Sequence, residues 1–324
     1  MRRPGLIALL ALAFLVTPAA AGAGTTERAA VFAGTGLWVD IYDAIIDDPA
    51  FIVGEAVAHD IDVIYIETSN YRSPRDVMYP DAVREVIRLA RAEGIRVVPW
   101  YLPGYRDIPL DRRRFQAAIA VGGAELPVDG LGVDIEADIV PDRALRARRA
   151  AEMVQWLRAT YPDLPMAGIV PRDALAWWRI FPYAEVRANT DVMMPMCYTS
   201  RYLTARETRA MAADCVETIR RETGDPAAPV HVIGGVTDFL STRQLVAAAR
   251  GARSAGATGF SLYNLETTTA TDWRAIDVFR GTAGRQAAIG DVRRTGARQL
   301  VAAHHPVDAS ERWRRSRAGL PGIA

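Results

Sequence analysis

From residue 31 onward, short apolar runs rich in Val, Ile and aromatic residues recur along the chain, each followed by a segment with helical spacing. Eight such runs stand at residues 31–41, 61–68, 95–102, 130–137, 166–170, 191–199, 230–236 and 259–266. Most are continuous rather than alternating, the pattern of parallel strands covered on both faces. Between them, Val83, Val86, Ile87 and Ala90 follow the i, i+3, i+4, i+7 spacing of a buried helix face, with Gly94 as the stop. Ala147, Ala151, Val154 and Leu157 keep similar steps up to Tyr161-Pro162-Asp163, and Ser241-Thr242-Arg243-Gln244 reads as a capping box for a helix finishing near Gly256. Alternating strands and helices demand a parallel sheet, and eight units close into a barrel, so the expected fold is α/β, a single-domain (β/α)8 TIM barrel. The rival, an open doubly wound sheet, lacks a glycine-rich phosphate loop after the first run.

Within the 324 residues the barrel is expected to occupy 28–281. Residues 1–23 resemble an export signal: Arg2 and Arg3, an apolar stretch from Leu6 to Val16 too short to span a bilayer, then the small residues Ala19, Ala20, Ala21 and Ala23. The expectation is a secreted protein, extracellular or associated with the cell wall, without a stable membrane anchor. Residues 282–324 leave the repeat and form a basic extension with an arginine cluster at Arg312, Arg314, Arg315 and Arg317 and a short candidate helix at 297–303. Every basic residue is arginine, yet the formal net charge is only +1, which gives no electrostatic case for nucleic acid as a partner. The oligomeric state is not legible in the sequence.

Barrels of this kind place their chemistry at the carboxyl ends of the strands. The side chains expected there include Trp38, Asp40, Glu67, Asn70, Tyr71, Trp100, Tyr101, Asp134, Glu136, Tyr198, Arg201, Tyr202, Asp238, Tyr263, Asn264 and Glu266. Carboxylates and aromatic rings dominate. His59 and His231 belong to the opposite end, and His304 and His305 to the tail, so neither a histidine metal centre nor a serine triad is expected. No metal and no cofactor is assigned, although an all-carboxylate magnesium site, as in a phosphodiesterase barrel, stays open.

Carboxylates beside aromatic rings suit carbohydrate chemistry. Glycosidic cleavage needs an acid at the leaving oxygen and a second group to meet positive charge at the anomeric carbon. The densest site is Asp129-Gly130-Leu131-Gly132-Val133-Asp134-Ile135-Glu136, where alternation puts Gly132, Asp134 and Glu136 on one face. This segment resembles the strand-four signature Asp-Gly-x-Asp-x-Asp-x-Glu of family 18 glycoside hydrolases, the chitinases and their relatives. The resemblance implies Glu136 as proton donor and Asp134 as its helper. Met196-Cys197-Tyr198-Thr199 and Gly259-Phe260-Ser261-Leu262-Tyr263 are weaker echoes of the family's strands six and eight.

Three positions depart from the pattern: Gly132 replaces the middle Asp, Thr199 the strand-six Asp, and Tyr263 the strand-eight Trp. A carboxylate from another strand, such as Glu67, Glu266 or Asp40, is then an alternative partner for Glu136, and family 25 lysozyme-like barrels also carry an Asp-x-Glu on a central strand. The expected function is cleavage of glycosidic bonds in a polysaccharide or complex glycan. Glu136 and Asp134 are the catalytic candidates, and Trp38, Asp40, Glu67, Trp100, Tyr198, Tyr263 and Glu266 the substrate-binding ones. A non-catalytic, lectin-like barrel that kept the cleft is the alternative. If Tyr198 faces inward, Cys197 faces the helix layer, as does Cys215 on the next helix with Met211 and Ile219; a disulfide or two free thiols follow, depending on geometry.

Overall fold

A computed structural model describes residues 21–281. The export-like segment before residue 21 and the tail from 282, with its arginine cluster, candidate helix and two histidines, lie outside the described residues. Eight parallel strands close into a barrel in chain order: β1 (Gly34–Val39), β2 (Val63–Asn70), β3 (Arg96–Leu102), β4 (Leu131–Asp134), β5 (Met166–Pro171), β6 (Val192–Met196), β7 (His231–Val236) and β8 (Gly259–Tyr263). β1 pairs with both β2 and β8, so no edge remains.

A helix, α1 (Ala21–Ala30), precedes the barrel. The layer around the strands comprises α2 (Pro49–Ala58), α3 (Pro80–Ala92), α4 (Ile108–Ala120), α5 (Arg143–Thr160), α6 (Ala174–Trp178), α7 (Tyr183–Asn189), α8 (Ala205–Thr223), α9 (Thr242–Ser254) and α10 (Arg274–Arg280). Local chemistry sets their limits. Asp48, Asp107, Asp142 and Asp173 cap the starts of α2, α4, α5 and α6, satisfying amides that would otherwise lack partners. Ser241 and Gln244 form the complete capping box expected for α9, and Thr204 and Glu207 form a second one on α8. Val83, Val86, Ile87 and Ala90 are all buried on α3, as their spacing predicts.

Strand alternation divides the core in two. Residues such as Val97, Tyr101, Leu131, Val133, Val232 and Leu262 point outward and pack on the helices. Val63, Tyr65, Val98, Ala167, Ile169, Val192, Met194 and Ile233 fill the barrel axis, so it is a packed core rather than a pore. Two buried arginines hold loops at the carboxyl face by binding main-chain carbonyls. Arg114 donates to the carbonyls of Asn70 and Ser73 after β2, and Arg146 to those of Asp138 and Val140 after β4. Cys197, facing outward, and Cys215 on α8 form a disulfide, with Cα atoms 6.2 Å apart. Among the described residues no helix is long and apolar enough to cross a membrane.

Candidate active site at the carboxyl face

A cleft with about 710 Å³ of unoccupied space opens where the strands end. Its walls include Trp38 of β1, Glu67 of β2, Trp100 of β3, Asp134 of β4, Ile169 of β5 and Tyr263 of β8. Asp40 and Glu136, one and two residues past the ends of β1 and β4, also line it. Seven of the nine catalytic and substrate-binding candidates therefore share one cavity: Trp38, Asp40, Glu67, Trp100, Asp134, Glu136 and Tyr263. Tyr198 stands beside it, its ring 6.0 Å from that of Tyr263. Glu266 does not line it; its carboxylate accepts a hydrogen bond from the Ala44 amide at 2.7 Å and secures the loop after β1.

On β4 the side chains of Leu131, Val133 and Ile135 enter the helix-facing core, which leaves Asp134 and Glu136 on the cleft side. Asp134 is buried and Glu136 half-buried. The chain past Asp134 stays tied to the sheet by the Ile135 amide donating to the Ile169 carbonyl at 2.8 Å. The indole N–H of Trp178 donates to the Glu136 carbonyl at 3.2 Å, and Arg146 lies over the same indole ring, 4.7 Å from its centroid. Trp178 packs against the barrel, as its helical position suggests, and that packing also sets the main chain of Glu136.

The floor of the cleft is aromatic. Trp38 is buried, stacked on Tyr65 at 4.4 Å and donating from Nε1 to Ser261 Oγ at 2.8 Å. Trp100 meets Trp38 edge-on at 5.7 Å. Both indoles are so deeply set that they close the bottom of the cleft rather than offering open faces. Trp100 also explains the glycine on β4: a Cβ at Gly132 would lie 2.7 Å from Trp100 Cβ and 3.0 Å from Ile169 Cδ1.

A second carboxyl group gathers at β1 and β2. Tyr263 donates its hydroxyl to Asp40 Oδ2 at 2.5 Å, and the Tyr42 amide donates to Asp40 Oδ1 at 2.8 Å. Glu67 accepts from the Ile41 amide at 3.3 Å and from Asn70 Nδ2 at 3.2 Å; it contacts Asn70 and Asp40, not Arg72 as a lone loop acid might. Complete burial, reinforced by the negative charge of Asp40, holds the Glu67 carboxyl well above the usual carboxylate range. Asp43 is shifted the same way by burial and by Asp40, while accepting from the Asp40 amide and from Asn264 Nδ2. Asp43 and Tyr42 were not singled out from the sequence. Their only signal was the polar stretch Asp40-Ile41-Tyr42-Asp43 directly after an apolar strand.

Among the described residues, no group of three or more His, Cys, Asp or Glu side chains is arranged to hold a metal ion. No family model matches the chain, and no curated protein sequence matches it either. Solved structures do. A chitinase from Chromobacterium violaceum is similar over 76% of this chain and 99% of its own, at 12% identity and a TM-score of 0.52. A class V chitinase from Nicotiana tobaccum covers 78% of this chain and 99% of its own at 10% identity and 0.56. A glycoside hydrolase family 18 N-acetylglucosaminidase from Paenibacillus barengoltzii covers 77% and 99% at 11% identity and 0.55. At these identities the shared property is the fold: the chain forms a (β/α)8 barrel similar to those of these three proteins.

Proposed function

We propose that the protein is an exported glycoside hydrolase acting on a polysaccharide or complex glycan. The observation that carries this reading is the placement of Asp134 and Glu136, from one strand, in a single cleft with Asp40, Glu67, Tyr263 and an indole floor. Glu136, half-buried at the rim with its main chain pinned by Trp178, is suited to reach a glycosidic oxygen and protonate it. Asp134, deeper in the same wall, orients Glu136 or a substrate hydroxyl. The similarity in fold to chitinases supports a glycan substrate. The Cys197–Cys215 disulfide supports an oxidising, extracytoplasmic destination.

A non-catalytic glycan-binding role is the second reading, favoured by Gly132, where Trp100 leaves no space for the acid found in the resembled signature. Reducing-sugar release from a panel including chitin, peptidoglycan and α- and β-linked polysaccharides separates the two. Hydrolysis of at least one glycan is expected. Binding without release from any of them would replace the hydrolase reading with the lectin-like one.

A further inference from the structure

Two acids of the resembled signature are replaced here, by Gly132 on strand four and Thr199 on strand six, while Asp134 and Glu136 remain. Beyond Asp134, the ends of β1 and β2 offer two further carboxyl groups in contact in the same cleft. Their surroundings differ. Asp40 is half-buried at the cleft wall and accepts hydrogen bonds on both oxygens, from the Tyr263 hydroxyl on Oδ2 and the Tyr42 amide on Oδ1. Glu67 is buried, and its amide partners stand at 3.2 and 3.3 Å. Two touching carboxyl groups share a proton rather than both ionise.

Resting on the hydrolase reading, we propose that Asp40 is the charge-stabilising carboxylate of the reaction, partner to Glu136 across strands, and that Glu67 is its positioning residue. The Tyr263 and Tyr42 donors occupy both oxygens of Asp40. The Glu67 carboxyl meets Asp40 from within the barrel wall. The upward shift of Glu67, from burial and then from the charge on Asp40, agrees with this division. The other ionisable groups around the pair are Asp43 after β1, Glu266 after β8, Tyr42, Tyr263, Arg72 after β2, and Asp134 and Glu136 in the facing wall.

In the reaction, Glu136 gives its proton to the leaving oxygen as that oxygen takes the electron pair of the breaking C1–O bond. The cationic sugar ring forms against the charge of Asp40. Water then adds to C1 and releases a proton to the Glu136 carboxylate, so both side chains end as they began.

The test compares Asp40→Asn and Glu67→Gln in the full chain, with folding checked by circular dichroism. On a hydrolysed glycan, Asp40→Asn is expected to lower kcat by roughly 10²–10³-fold with KM little changed. Glu67→Gln, which keeps a donor beside Asp40, is expected to lower kcat by about tenfold, clearly less than Asp40→Asn, with KM little changed. Equal losses in both variants, or an active Asp40→Asn, would overturn the proposal. Carbon-13 NMR of the Glu67 carboxyl followed over pH reads the pair without turnover. Titration well above the usual carboxylate range in wild type, brought down in Asp40→Asn, is expected, and a Glu67 titration unchanged by Asp40→Asn overturns the proposal whether or not any glycan is cleaved. Absence of hydrolysis across the glycan panel would instead sink the hydrolase reading.

Discussion

The side chain of Trp100 fills the space that any side chain at Gly132 would need, with 2.7 Å between Trp100 Cβ and an added Cβ. The two residues are neighbours in the β3–β4 ladder, so neither can shift without disturbing the barrel wall. The glycine is thus the counterpart of a buried indole, not an isolated loss. Gly132→Asp is expected to destabilise the protein by about 1–3 kcal/mol through overpacking alone, with more from the buried carboxylate. Thermal melting measures it: a clear fall in Tm is predicted, and an unchanged Tm would show that Trp100 yields easily.

The Cys197–Cys215 bridge joins the residue just past β6 to α8 across 18 residues of sequence. Closing a loop of that size in the unfolded chain stabilises by roughly 2–4 kcal/mol. Denatured, unreduced protein should therefore show no labelled thiol from this pair, and Cys215→Ala should melt earlier than wild type. Two reactive thiols in the oxidised protein would contradict the bridge.

His231 sets an acid limit on stability. It is fully buried at the start of β7, with Nδ1 2.7 Å from the Phe32 carbonyl, and burial lowers its pKa from 6.5 to about 4. Between those values the unfolded chain binds a proton that the folded one refuses, so stability rises with pH across the window. Its contribution is complete above pH 6.5 and is lost as pH falls towards 4, on the order of 3 kcal/mol. Urea melts at several pH values should show a shallower acid slope for His231→Gln than for wild type. Identical slopes would assign the acid sensitivity to other groups.

Much of the barrel was legible because parallel strands covered on both faces read as unbroken apolar runs, and the helices announced themselves through capping residues such as Ser241 and buried spacing such as Val83 to Ala90. The boundaries were less so. The first run begins at Val31 in apolarity, yet β1 starts at Gly34, because Val31, Phe32 and Ala33 donate back to Arg28, Ala29 and Ala30 in turns that end α1. The apolar content of 130–137 outlasts β4, which ends at Asp134 as the chain turns up to the cleft rim.

The site was legible as a set of residue types, since carboxylates and indoles at strand ends stand out against apolar runs. How they divide into groups was not. The ladder between β2 and β3 shifts between Glu67 and Ser69, so simple alternation fails there and Asn70, not Ser69, joins Glu67 in lining the cleft. The pairing of Glu67 with Asp40, and the hold of Trp178 on Glu136, depend on contacts between distant segments that no local pattern encodes.

The central claim is that Glu136 protonates a leaving oxygen, and the most direct measurement is the leaving-group dependence of Glu136→Gln. Hydrolysis of a natural glycan is compared with that of the matching dinitrophenyl glycoside, whose leaving group departs without a proton. The account predicts a loss of roughly 10²–10⁴-fold on the glycan and near wild-type cleavage of the activated bond in the variant. Equal activity of variant and wild type on the glycan, or an equal loss on both substrates, would contradict it.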